Sequence, residues 1–271
     1  MKRFTLFAVI MLLLSVNVFA TKRALVIGIG EQKDRSWSKI NGDNDVKYVI
    51  DMLNICGYRD HITTLVNNNA TKSGIVSAFK KLANKCKPGD VVYIHFSGHG
   101  QRVMDNKTKR ESWVPYDAYK QYCQQDKGDK HLMDYEINKL LKNITNNIGS
   151  RGKLLVVVDA CCSEGTSRGD DDDTTPVRWT KDIFQLPSPS LPTQELSLNW
   201  IELSACKNFQ KAWEIKDMKV GKLTYALYNI AKNGRVDRRS IEKFMQNYNH
   251  GMSQDPVETR GCSYNIWDVL K

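Results

Sequence analysis

The sequence predicts an α/β fold in three layers, with helices covering both faces of a mostly parallel central sheet. Two observations carry that expectation. Five short apolar runs alternate with segments whose apolar residues recur at helical spacing, the pattern of fully buried strands joined by crossover helices. Two of those runs also lead into side chains able to do chemistry, His99 and Cys161, and sites in such sheets lie beyond the carboxyl ends of the strands. At 271 residues the chain can build a core without disulfide staples.

Residues 22–30 run Lys-Arg-Ala-Leu-Val-Ile-Gly-Ile-Gly and form the first expected strand, stopped by its glycines. From Asp43 to Cys56, Val46, Val49, Ile50 and Leu53 mark one helical face. Residues 62–66 are a second strand. Thr71 is placed to cap a helix carrying Ile75, Val76, Phe79 and Leu82. The turn Pro88-Gly89-Asp90 leads into a third strand, 91–96, followed by Ser97-Gly98-His99-Gly100. A helix from Asp134 to Leu141 precedes a fourth strand, 153–158, which stops at Asp159-Ala160-Cys161-Cys162-Ser163. A fifth strand covers 200–204, and helices are expected over 223–231 and 240–248. Between the fourth and fifth strands the composition breaks. Residues 166–195 hold four consecutive aspartates and four of the seven prolines, and are expected to be a flexible, exposed linker.

Residues 1–20 have the pattern of a signal peptide. Lys2-Arg3 precedes an apolar run from Phe4 to Val18, and Val18 and Ala20 occupy the −3 and −1 positions of a cleavage site after Ala20. The run is short for a membrane span. The chain is therefore expected to be exported, to the periplasm or outside the cell, with no stable membrane insertion; an uncleaved anchor is the competing reading. The formal charge of +10 becomes +8 once Lys2 and Arg3 are removed. The charges are scattered, with no Lys/Arg run longer than two and no nucleic-acid motif, so no nucleic-acid partner is expected. Seven cysteines without a Cys-x-x-Cys pair argue against a zinc ribbon and leave at least one thiol unpaired.

His99 and Cys161 carry the candidate chemistry. A cysteine attacks a carbonyl as thiolate, so it needs a base nearby, and a histidine at a neighbouring strand end supplies one. Gly98 and Gly100 allow a tight turn and close approach of a substrate to the backbone. By residue type alone, a small buried cysteine and a structural histidine account for the pair equally well. His95 and His99 are four apart, but Phe96 stands where a zincin needs Glu, and the pair brackets a strand end rather than lying on a helix. His61, His131 and His250 have no identifiable partner in the sequence.

The segments around both residues are more specific than the residue types. His95-Phe96-Ser97-Gly98-His99-Gly100 and Asp159-Ala160-Cys161-Cys162-Ser163 resemble the histidine and cysteine motifs of the caspase and metacaspase family of cysteine peptidases. Ile40-Asn41-Gly42-Asp43-Asn44-Asp45-Val46, Trp113-Val114-Pro115-Tyr116-Asp117, and residues 203–214 and 221–227 resemble further motifs of that family, in the family's order. The resemblance implies a caspase-like αβα domain over 21–271. Its large-subunit-like part would be 21–165, its linker 166–195 and its small-subunit-like part 196–271.

What the resemblance implies for activity is a peptidase acting on protein or peptide substrates. His99 would be general base and acid, and Cys161 the nucleophile of a thioester mechanism. The N–H groups of Gly100 and Cys161 would form the oxyanion hole. Metacaspases cut after Arg or Lys, and acids of their binding pocket match Asp45 and Asp159, with Ser97 adding a hydroxyl. Arg168, Arg178 and Lys181 are then candidate self-cleavage sites in the linker. No cofactor is required. Some metacaspases need calcium, and the carboxylates on offer are Asp134, Asp170, Asp171, Asp172 and Asp173, whose simpler reading is a solvated acidic loop. The cysteine motif departs from the family in having Cys162 in place of a histidine and Glu164 before Gly165; position favours Cys161 over Cys162. The alternative function is a caspase-fold binding or scaffold protein without catalysis. Inactive relatives usually lose Cys or His, and this chain keeps both.

Overall fold

The computed structural model describes residues 20–161, 177–178, 180, 182–193, 198–207, 210–248 and 253–271. The chain opens with β1 (Lys22–Gly28), α1 (Gly42–Ile55), β2 (Ile62–Val66), α2 (Lys72–Lys85) and β3 (Val91–Ser97). A hairpin of β4 (Gly100–Met104) and β5 (Lys109–Trp113) follows, then β6 (Leu132–Met133), α3 (Asp134–Ile148) and β7 (Lys153–Asp159). The rest is β8 (Phe184–Gln185), β9 (Ile201–Ser204), β10 (Glu214–Ile215), β11 (Val220–Gly221), α4 (Lys222–Asn233), α5 (Arg238–Asn247), β12 (Val257–Arg260) and α6 (Ile266–Leu270).

The central sheet has the order β12-β9-β7-β3-β1-β2. Every pairing is parallel except that of the edge strand β12 with β9. Successive side chains of a strand point to opposite faces, and this sorts the core into two layers. Ala24, Val26, Tyr93, Leu155 and Val157 pack with α1, α4, α5 and α6. Leu25, Ile27, Ile94, Phe96 and Val156 pack with α2 and α3. The three-layer, mostly parallel expectation therefore holds. Thr71 caps α2, its hydroxyl accepting from Gly74 N–H at 3.1 Å. Gly89 takes φ +92° in the turn before β3, a conformation that favours glycine.

The sequence does not announce the β4–β5 hairpin, β12 or α6. The hairpin strands mix Arg102, Lys109, Arg110 and Glu111 with few apolar residues, so no buried run marks them. Part of the segment expected to be an exposed linker is docked instead. β8 pairs in parallel with β4, and Phe184 and Leu186 are buried. Asp105 accepts the N–H groups of Ser190 and Leu191, both at 2.8 Å, and Arg110 donates to the Pro192 carbonyl at 2.6 Å. Two apolar anchors and one carboxylate hold a stretch that composition alone assigns to solvent. Among the described residues, no helix is long and apolar enough to cross a membrane.

Candidate active site

Sheet register sets the site. Ser97 of β3 pairs with Asp159 of β7 in a parallel ladder, so His99 and Cys161 each lie two residues beyond neighbouring strand ends. Gly98 N–H donates to the Asp159 carbonyl at 3.4 Å. A Cβ on Gly100 would collide with the Cys161 carbonyl oxygen, so the close approach of the two turns depends on glycine. Both reactive side chains are buried.

His99 Nε2 lies 2.9 Å from the Ser38 carbonyl oxygen. A carbonyl only accepts, so the ring proton sits on Nε2 and Nδ1 is a bare acceptor. That Nδ1 is buried and has no hydrogen-bond partner among the described residues. Burial lowers the His99 pKa to about 4, opposed by the Ser38 bond and reinforced by Arg178 and Lys120. The ring is therefore neutral at pH 7, in the form that accepts a proton. Cys161 Sγ accepts from Ala212 N–H at 2.7 Å. The thiol–imidazole hydrogen bond is not made in this structure, and such bonds commonly tighten only when substrate is bound.

Beside Cys161 three acids converge, and the linker fills the space between them. Arg178 is fully buried. Its Nη1 lies 2.7 Å from Asp45 Oδ2 and 3.4 Å from Asp159 Oδ1, and its Nη2 lies 3.0 Å from Glu214 Oε1. Nη1 also donates to Ser97 Oγ and, at 3.0 Å, to the Asp159 carbonyl. Each acid is itself tied down. Asp45 accepts from the Ser97 hydroxyl and from Gly221 N–H at 2.9 Å. Asp159 Oδ2 accepts from Thr224 N–H at 2.8 Å and the Thr224 hydroxyl at 2.6 Å. Glu214 accepts from Asn41 N–H at 2.7 Å. Burial works against the Arg178 charge, but Asp45, Asp159 and Glu214 hold it protonated well above the usual arginine range. Burial pushes Asp159 up to about 6, against the pull of Arg178 and with added repulsion from Asp45.

The Arg178 backbone is held as well. Its N–H donates to the Ala212 carbonyl at 3.1 Å, and its own carbonyl accepts from Cys161 N–H at 3.3 Å. Val177 forms an antiparallel bridge with Trp213. A segment bridged to the stretch before β10, with a side chain in a pocket and its carbonyl on the N–H of a cysteine, is held much as an extended peptide would be.

The structure thus brings His99, Gly100, Cys161, Asp45, Ser97, Asp159 and Arg178 to one place. Cys162, Arg168, the run from Asp170 to Asp173, and Lys181 lie outside the described residues. Asp134 is elsewhere, 3.5 Å from Arg110 Nη1. Among the described residues no three His, Cys, Asp or Glu side chains converge as metal ligands. His95 forms no metal pair with His99; it hydrogen-bonds Tyr93 and Thr224. His131, without a partner in the sequence, lies 2.7 Å from Gln101 Oε1 and 3.4 Å from Asp126 Oδ2. Glu214, Thr224 and Ala212 escape the sequence reading, although all three fall in stretches that carry the family resemblance.

A thiol and a neutral imidazole lie at the carboxyl ends of adjacent parallel strands, next to an acidic pocket, an arrangement that can supply a nucleophile and a base. Residues 21–265 match the Peptidase_C14 family model, described as the caspase domain, and the chain belongs to that family. It is 28% identical over 158 residues to Metacaspase III c of Phaeodactylum tricornutum, covering 54% of this chain and 43% of that protein. It is 30% identical over 159 residues to Metacaspase-2 of Arabidopsis thaliana, covering 54% and 35%. The chain spans less than half the length of these curated relatives. Two solved structures share the fold. One is a protein of Geobacter sulfurreducens, with TM-score 0.66, 21% identity and coverage of 93% of this chain and 97% of that one. The other is caspase-1 of Spodoptera frugiperda, with TM-score 0.58, 9% identity and coverage of 91% and 88%.

Proposed function

We propose that the chain is a cysteine endopeptidase that cuts after arginine or lysine, and that it cuts its own chain at the Arg178–Trp179 bond. The observation that carries this is the seat of Arg178, with guanidinium among three carboxylates and carbonyl on Cys161 N–H. His99 Nδ1 takes the thiol proton from Cys161. The thiolate adds to the carbonyl carbon, and the oxygen, now negative, is held by the N–H groups of Cys161 and Gly100; one such donor contributes about 10²–10³ in rate. Collapse expels the amine of residue 179, which takes the proton from His99 and leaves Arg178 as a thioester on Cys161. Water, giving a proton to His99, then attacks the thioester and frees the carboxylate and the thiol. No cofactor enters these steps. A planar guanidinium reaches all three acids at once, which a shorter ammonium with three donors does less well, so arginine is the preferred residue.

The protein is also proposed to act after export. Cleavage after Ala20 makes Thr21 the first residue, and Thr21 N–H donates to Asp90 Oδ1 at 3.0 Å, a position in which an α-ammonium gains a charge partner. Parallel intact-mass measurements on wild type and Cys161→Ala test the self-cleavage. A cut after Arg178 is expected in wild type only. The same cut in both proteins, or an intact wild type that turns over arginine peptides, refutes it; turnover of neither arginine nor lysine peptides refutes the specificity.

A further inference from the structure

We propose that Tyr93, His95 and Thr224 form a directional hydrogen-bond relay that positions the carboxylates of the acidic pocket, making Thr224 a positioning residue for recognition of the basic side chain. The proposal rests on the reading of that pocket as the binding site for the residue before the cut bond.

The geometry fixes the direction of the relay. Thr224 Oγ1 lies 2.6 Å from Asp159 Oδ2, 3.1 Å from Asp45 Oδ2 and 3.2 Å from His95 Nε2. A hydroxyl has one proton and two lone pairs. Carboxylates accept, so the proton goes to the nearer one, on Asp159. The oxygen can then only receive from His95, which places the imidazole proton on Nε2. His95 Nδ1 is left bare, 2.9 Å from the Tyr93 hydroxyl, which must donate to it. The order Tyr93 to His95 to Thr224 to Asp159 gives the nearest carboxylate oxygen a proton to accept; the reverse order would set the Thr224 oxygen against two carboxylate oxygens with no proton between them.

The fold explains why these residues meet. Tyr93, His95 and Ser97 alternate along β3 and share the face that looks toward α1 and α4. Thr224 stands in the first turn of α4, a helix with no side-chain cap of its own. Asp159 takes the Thr224 N–H and Asp45 takes the Gly221 N–H, so the pocket acids serve as the missing cap from outside the helix. All the relay residues are fully or almost fully buried. Burial lowers His95 to about 4, opposed by Asp45 and reinforced by Arg178; the ring stays neutral and keeps a single Nε2 proton to give. None of the three makes a hydrogen bond to Arg178 among the described residues, so they act through the acids and not on the bound side chain.

The test compares Thr224→Val, Thr224→Ser and Tyr93→Phe with wild type, on peptides ending in Arg and in Leu before the cut, together with ¹⁵N NMR of the His95 ring. Thr224→Val keeps the shape and removes the hydroxyl. It should raise KM for the Arg peptide on the order of tenfold, leave kcat within about threefold, and spare the Leu peptide. Thr224→Ser should restore the wild-type KM. The ring should show the Nε2–H tautomer in wild type and a mixture in Tyr93→Phe. Equal losses on both peptides, no rescue by serine, or an Nδ1–H ring in wild type overturns the relay. A wild type that cuts no basic peptide yet shows the Nε2–H ring sinks the reading of the pocket while supporting the relay.

Discussion

Glu214→Gln is the sharpest perturbation of the acidic pocket. Glu214 Oε1 meets the guanidinium twice, at 3.1 Å from Nε and 3.0 Å from Nη2, and both side chains are completely buried. Glutamine preserves the shape and one acceptor. It removes the charge and places an NH₂ group where a guanidinium offers only donors. Truncating one partner of a buried charge pair typically costs ~2–5 kcal/mol. Asp45 and Asp159 remain to hold the cation, so the lower part of that range applies, about 2–3 kcal/mol. At about 1.4 kcal/mol per tenfold, kcat/KM on Arg peptides should fall about 30- to 150-fold, with most of the loss in KM. The measurement uses fluorogenic peptides identical except for Arg, Lys or Leu before the cut, in an Arg178→Ala background so that the linker does not compete. Glu214 also accepts from Asn41 N–H, so a purely structural role would lower all three rates together. A loss under about threefold on Arg, or an equal loss on Leu, refutes the charge-pairing argument.

Acid should weaken recognition before it stops the chemistry. Asp159 sits at about 6 with Arg178 bound; a bound cation favours the charged carboxylate, so the empty pocket titrates no lower, and KM for Arg peptides should climb as pH falls through about 6. The Leu peptide should hold its rate until His99 protonates near 4, and profiles that fall together would place the titration elsewhere. Cys161→Ala should abolish hydrolysis of every peptide while Cys162→Ala keeps a measurable rate; full activity of Cys161→Ala would move the nucleophile. Excess chelator should leave the rate within about twofold, and a loss restored by added calcium would establish a metal requirement.

The parts of the fold legible in the sequence are those where burial is continuous. Every residue of β3 is buried, so the strand reads as an apolar run broken only by His95 before it ends at Ser97, and the placing of His99 two residues beyond it follows directly. β4 and β5 face partly outward and carry charges, so their pairing is set by tertiary contacts that no local period reports. Arg178 is the instructive case. In a stretch rich in Asp and Pro it reads as solvated, because a charge is buried only when paired. Its partners come from α1, β7 and β10, which no window of sequence contains together. Glu214 is hidden for the same reason, in a strand of two residues. The pocket is visible as separate acids; the fact that they share one guanidinium is a property of the assembled sheet.

A break after Arg178 would not set the following segment free. Gln101 donates to the Asp182 carbonyl at 3.1 Å, Lys120 pairs with the Asp182 carboxylate at 3.0 Å, and β8 stays on its neighbour. The two pieces would elute as one particle on a native sizing column and separate only in denaturant. The amine freed at residue 179 is tethered three positions from docked Asp182, and short tethers give local concentrations in the ~mM range. That amine would compete with water for the thioester, so scission and rejoining would run as opposing steps until one end moved away. On the proposed self-cleavage, throughput on foreign chains would be governed by departure of the chain's own ends, and a mutation that loosens Phe184 from β4 should accelerate turnover without touching the thiol or the imidazole.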